Sequence, residues 1–148
     1  MSEELGFIVK FFDKAYEEKD ILELLDAPVS AISGISEPDA EKLKKAFTIE
    51  TVGDLALNDH IRLAQAVTNF SECSGKILDE EFQSKDFLEL SEKPVYAIKG
   101  ISEEDAKLLL QAFNIKTIKD LAKNKYVSIA QTTLALATLI EILVEKQS

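Results

Sequence analysis

One long stretch occurs twice in this chain, and that repetition limits the available folds more than any other feature. Pro28–Asp59 reads PVSAISGISEPDAEKLKKAFTIETVGDLALND, and Pro94–Lys125 reads PVYAIKGISEEDAKLLLQAFNIKTIKDLAKNK. The two align without a gap at an offset of 66, so Gly34 answers to Gly100, Ala40 to Ala106, Phe47 to Phe113 and Asp54 to Asp120. The match reaches from Asp20/Asp86 to Gln65/Gln131, and about 25 of roughly 46 aligned pairs are identical. One supersecondary unit is therefore used twice. No Pro- or Gly-rich spacer separates the copies. The expectation is one packed unit over 1–148, with repeats of about 3–68 and 69–145, rather than two tethered beads.

The local pattern is helical. Alternating β periodicity is absent, so the fold class is expected to be all-α. Phe7, Ile8, Phe11, Phe12 and Ala15 recur at helical spacing and predict a first helix over 3–19, with these side chains in the core. Short amphipathic segments follow at Asp20–Leu25 and Asp86–Leu90. Pro28 and Pro94 suit the first position of a short helical turn, where a missing N–H costs nothing. Gly34 and Gly100 then supply a backbone conformation that other residues resist.

Ser36 with Asp39, and Ser102 with Asp105, form capping-box-like starts. They launch helices through Phe47 and Phe113, with Ala40, Leu43, Ala46 and Phe47 facing inward in the first copy. Thr51/Asp54 and Thr117/Asp120 repeat the signal for short helices ending near Leu57 and Lys123. Asn58 and Asn124 sit where a cap belongs. Longer helices are expected from about His60 through Val67 and beyond, and from Tyr126 to Val144. The stripe Ile61, Ala64, Val67, Ser71, Ser74, Leu78, Phe82 carries helical spacing across the linker, with a bend expected at Gly75. His60 and Tyr126 occupy equivalent places near a helix start, as rings packing at a corner.

The segments AISGISEPDAEKLKKAF and AIKGISEEDAKLLLQAF resemble the helix-hairpin-helix motif. The hairpins are Gly34-Ile35-Ser36 and Gly100-Ile101-Ser102, the matching alanines Ala40 and Ala106, the leucines Leu43 and Leu109. IETVGDLA and IKTIKDLA complete a longer unit that looks like those of small helix-hairpin-helix and related five-helix domains. The resemblance implies two units packed with pseudo-twofold symmetry, with long connecting and C-terminal helices. It also implies sequence-independent DNA binding, in which hairpin amides and a helix N-terminus hold a backbone phosphate. The chain departs from that pattern. Ser36 and Ser102 replace the second hairpin glycine. Glu37 and Asp39, or Glu103, Glu104 and Asp105, follow at once. These carboxylates satisfy the free amides and repel an anion, so a self-capped helix start is favoured over a phosphate site.

Charge points the same way. The formal net charge of −10 opposes nucleic acid and anionic membrane surfaces alike. The copies differ, however: Pro28–Asp59 has three Lys against six Asp/Glu, and Pro94–Lys125 has six Lys against four. Lys99, Lys116, Lys119, Lys123 and Lys125 are the candidate contacts for nucleic acid or an acidic partner, or for head-to-tail association. Catalytic parts are few. His60 is the one histidine, and Cys73 the one cysteine with no CxxC spacing. No Walker-type or dinucleotide motif occurs. No catalytic group, metal or cofactor is expected.

The N-terminus opens acidic without a signal-peptide pattern, which fits a cytoplasmic protein. Leu134–Val144 is apolar but interrupted by Thr138 and Glu141, and falls short of the roughly 20 residues of a membrane span. It is expected to be buried under the Phe7–Phe12 stripe. The alternative is a homodimer or partner interface through Leu136, Leu139, Ile140 and Leu143. The expected role is a non-enzymatic protein–protein interaction or assembly module, with no membrane association. The alternative is weak nucleic-acid binding through the Lys-rich second copy.

Overall fold

Ser36, Thr51, Ser102 and Thr117 each start a helix by the same reciprocal pair of hydrogen bonds. Each hydroxyl accepts the amide of the Asp three residues on, and that carboxylate accepts the amide of the capping residue. The computed structural model describes residues 8–16, 19–77 and 85–147. The helices are α1 (Ile21–Asp26), α2 (Glu37–Phe47), α3 (Val52–Leu57), α4 (Asp59–Ile77), α5 (Lys85–Ser91), α6 (Glu103–Phe113), α7 (Ile118–Ala122) and α8 (Lys125–Gln147). Single 3-10 turns cover Lys14–Tyr16, Val29–Ala31 and Val95–Ala97. Among the described residues there is no β-strand, and the chain is all-α.

Helix ends follow from local chemistry. α2 closes on Thr48 and α6 on Asn114, both left-handed (φ 59 and 57), and their amides return to carbonyls of the last turn. Gly34 and Gly100 take φ of 101 and 98, conformations that L side chains rarely adopt. Asn58 Oδ1 accepts the Ile61 amide at 3.1 Å, and Asn124 Oδ1 accepts the Tyr126 amide at 2.9 Å. These bonds begin the two long helices.

Three expectations change. Pro28 and Pro94 precede the 3-10 turns instead of opening them. Pro28 is held extended (ψ 150) because Val52 N donates to Ala27 O and Val29 N to Glu50 O, pairing Pro28 with Thr51. The helix over 3–19 does not run through: Phe12 pairs with Ile32, with Asp13 N donating to Ala31 O and Ser33 N to Phe11 O, both at 2.8 Å. Extended pairing with the first hairpin excludes a helix there. Ile8 and Phe12 are buried as expected, but Phe11 and Ala15 are exposed. Phe7, Leu78, Phe82 and the linker helix beyond Ile77 lie outside the described residues. α4 does continue through Gly75.

The third change concerns α8. Its buried residues are Val127, Ala130, Thr133 and Ala137, and none of its later described residues is buried. α8 packs on α1 and α3. Those helices have six residues each against the 23 of α8, about 9 Å against about 35 Å of rise. The long helix outruns these two helices, and the expected burial of Leu134–Val144 under the N-terminal stripe is not found among the described residues.

The halves exchange contacts. α2 packs on α6, α3 on α8, and α7 on α4. Short helices of each half therefore lie on the long helix of the other. Leu24, Ile32, Ile49, Ile61, Leu109, Ile118 and Leu121 are fully buried at their centre. Each such side chain contributes about 1.5–3 kcal/mol by leaving water. Ala64 and Ala130 are both wholly buried.

Candidate functional site

The two hairpins are the place where a phosphate would be sought, and two amides of each have other partners. Ile35 N donates to Ile32 O, and Ile101 N to Ile98 O, each at 3.1 Å. Ser36 N donates to Asp39 Oδ2 at 3.3 Å, and Ser102 N to Asp105 Oδ2 at 3.2 Å. The carboxylates close the helix starts internally and put negative charge at the turn.

A ring from the other half covers each hairpin. The Tyr126 hydroxyl donates to Gly34 O at 3.3 Å. A Cβ on Gly34 would lie 2.5 Å from that hydroxyl oxygen, and one on Gly100 would lie 2.9 Å from His60 Cε1. Each ring also leans on the phenylalanine of its own half: His60 on Phe47 with centroids 5.3 Å apart, Tyr126 on Phe113 at 5.5 Å. The sequence marks both rings as corner packing. That each lands on the opposite hairpin is legible only in three dimensions.

Asp54 shows how firmly the caps hold. Burial alone would raise its carboxyl, but the amides of Thr51 and Glu50 and the Thr51 hydroxyl together keep it below the ordinary 3.8.

The candidate lysines do not converge. Lys119 and Lys123 border a cleft with Phe113, Asn114 and Asp120. Lys123 and Lys125 border another with Phe11, Ser33, Tyr126 and Ile129. Lys123 is ion-paired to Glu72 at 2.6 Å, and Lys125 Nζ lies 5.1 Å from the Tyr126 ring centre. Lys99 and Lys116 line neither cleft, and both are exposed. Among the described residues no three of His, Cys, Asp and Glu gather as metal ligands.

The apolar candidates form a surface. Leu136 and Ile140 are half-buried, while Leu139 and Leu143 are 48% and 42% exposed, beside Ile142 and Val144. By length and composition alone, Ile118–Lys146 is apolar enough to cross a membrane. Its Val127, Ala130 and Ala137, however, are built into the core. A second apolar spot went unread in the sequence: Phe70 and Phe87, partly exposed, pair at 4.8 Å between ring centres. No family model, curated protein or solved structure matches this chain.

Proposed function

We propose that this chain is a non-enzymatic protein-interaction or assembly module of the cytoplasm. It is built on two helix-hairpin-helix-like repeats packed with pseudo-twofold symmetry. The observation that carries the reading is the closure of both hairpins. Asp39 and Asp105 hold the amides of Ser36 and Ser102, and Tyr126 and His60 cover Gly34 and Gly100. A turn so filled has the amides of Ile35, Ser36, Ile101 and Ser102 already engaged and repels a backbone phosphate by charge. The exposed Leu139 and Leu143, with half-buried Leu136 and Ile140, offer a protein partner or a second copy an apolar face. The anchoring of α8 in the core favours that occupant over a bilayer.

The competing reading is weak nucleic-acid binding through Lys99, Lys116, Lys119, Lys123 and Lys125, which the exposure of Lys99, Lys116 and Lys119 favours. Fluorescence anisotropy with labelled duplex and single-stranded DNA over a salt series separates the two. The interaction reading expects no saturable binding at physiological salt. Tight binding that weakens steeply with salt and is abolished by Lys119→Glu would establish the competitor.

A further inference from the structure

We propose that the surface where α6 meets the Val95–Ala97 turn is a docking groove for an acidic peptide segment of a partner protein, anchored by apolar side chains. The inference rests on the protein-interaction reading above and names its surface. The backbone there repeats that of the first half. Val29 N donates to Glu50 O at 2.9 Å, and Val95 N to Lys116 O at 3.1 Å. Ile49 N to Leu43 O, and Ile115 N to Leu109 O, both measure 3.4 Å.

In the first half this backbone carries a shallow groove bordered by Ser30, Glu37, Glu41, Lys44 and Glu50. Its polar groups hold one another. The Ser30 hydroxyl donates to Glu37 Oε1 at 3.2 Å, and Lys44 Nζ lies 3.2 Å from Glu50 Oε1. At the equivalent positions the second half has Tyr96 for Ser30, Lys107 for Glu41, Leu110 for Lys44 and Lys116 for Glu50. The substitutions abolish both internal bonds and turn two carboxylates into ammonium groups. Tyr96 and Leu110 stand 47% and 42% exposed. Glu103, Lys107 and Leu110 share one face of α6 by their i, i+4, i+7 spacing. The Val95–Lys116 backbone bond brings Lys116 beside Tyr96. By equivalence with the residues that border the first-half groove, two exposed apolar side chains share this surface with two lysines, neither of which makes an ion pair among the described residues. Such a patch supplies anchors and charge steering together.

Charge and shape select the occupant. A second copy would offer its acidic groove, but Ser30 and Lys44 there would leave Tyr96 and Leu110 without apolar cover. A nucleic-acid strand would give Leu110 little to pack on and would run its unbroken phosphate charge past Glu103, Glu104 and Asp105, whereas a short peptide can set its carboxylates at Lys107 and Lys116 alone. A peptide with carboxylates flanking one or two apolar side chains matches both features.

The chain supplies its own control. The combined change Tyr96→Ser, Lys107→Glu, Leu110→Lys and Lys116→Glu installs residues that the first half already carries on the same backbone. The full chain, 15N-labelled, is titrated with a short Asp/Glu peptide containing Leu and Phe. An acidic peptide without apolar residues, a basic apolar peptide and oligo-dT serve as comparisons. The first probe is expected to move the amides of Tyr96, Lys107, Leu110 and Lys116. The substituted chain should bind it at least roughly tenfold more weakly, with circular dichroism and thermal midpoint near the parent's. Undiminished binding by the substituted chain, shifts confined to other residues, or no peptide binding at all would overturn the groove. Shifts at the end of α8 alone would remove the groove and leave the interaction reading standing. Tighter binding of oligo-dT than of any peptide would remove both. Sedimentation showing self-association that the same substitutions abolish would assign the groove to a second copy and overturn the proposal.

Discussion

Gln65 and Gln131, equivalent positions in the two copies, hold each other by a reciprocal pair of amide hydrogen bonds, each 2.8 Å long. Gln65 Nε2 also reaches Ala122 O, and Gln131 Nε2 reaches Ala56 O, both at 3.4 Å. The pair thus ties α4 to α8 and each of them to a short helix of the other half. Removing one side chain leaves a partly buried amide short of a partner, at a cost of about 1–2 kcal/mol. The double variant Gln65→Ala/Gln131→Ala should cost less than the sum of the singles, with a coupling of about 0.5–1.5 kcal/mol. Urea unfolding of the cycle measures it, and strict additivity would mean that the two amides do not act on each other.

Gly34→Ala and Gly100→Ala place a side chain where φ is 101 and 98. Each should destabilise by about 1–3 kcal/mol. At Gly34 the new Cβ also meets the hydroxyl tip of Tyr126. Adding Tyr126→Phe should therefore recover part of the loss in thermal unfolding. No recovery would place the whole cost in the backbone.

Acid should weaken the fold through the Asp54 cap. The folded carboxyl titrates below its ordinary 3.8, so its contribution is complete above that pH and is lost as pH falls through the lower, folded value. Stability against urea, followed downward from pH 5, should fall more steeply in the parent than in Asp54→Asn. Equal slopes would show that the amides of Thr51 and Glu50 do not bind the charged form preferentially.

The caps, the positive-φ glycines and the helix succession were legible because each rests on a few adjacent residues. Ser36 and Asp39 need nothing outside α2 to find each other. The N-terminal helix was misread because Phe12 answers to a distant strand-like partner, Ile32, which overrides helical spacing. The burial of α8 was misread for a related reason. Apolar periodicity does not report how long the neighbouring helices are, and α1 and α3 stop short. Of the candidate site, the self-capped hairpins followed from spacing, but the covering of Gly34 by Tyr126 depends on packing between halves. The exposure of Tyr96 and Leu110 was not legible, because helical spacing alone does not set them against Ser30 and Lys44 of the other copy.

Within α8, two substitutions should behave oppositely. Ala137→Leu adds volume at a site only 2% exposed and should cost about 1–3 kcal/mol. Leu143→Glu, at a position 42% exposed, should change stability by no more than about 0.5 kcal/mol. It should also lower binding of a hydrophobic dye. A large loss of stability from Leu143→Glu would mean that the end of α8 is covered in solution.

The most direct measurement is an amide NMR titration of the full chain with inorganic phosphate and then with oligo-dT, watching Gly100, Ile101 and Ser102. Hairpins closed by Asp105 and covered by His60 predict no saturable movement of these three amides at physiological salt. Saturable shifts at Gly100, Ile101 and Ser102, sharpened by Asp105→Asn and suppressed by salt, would contradict the closed turn and restore a phosphate site.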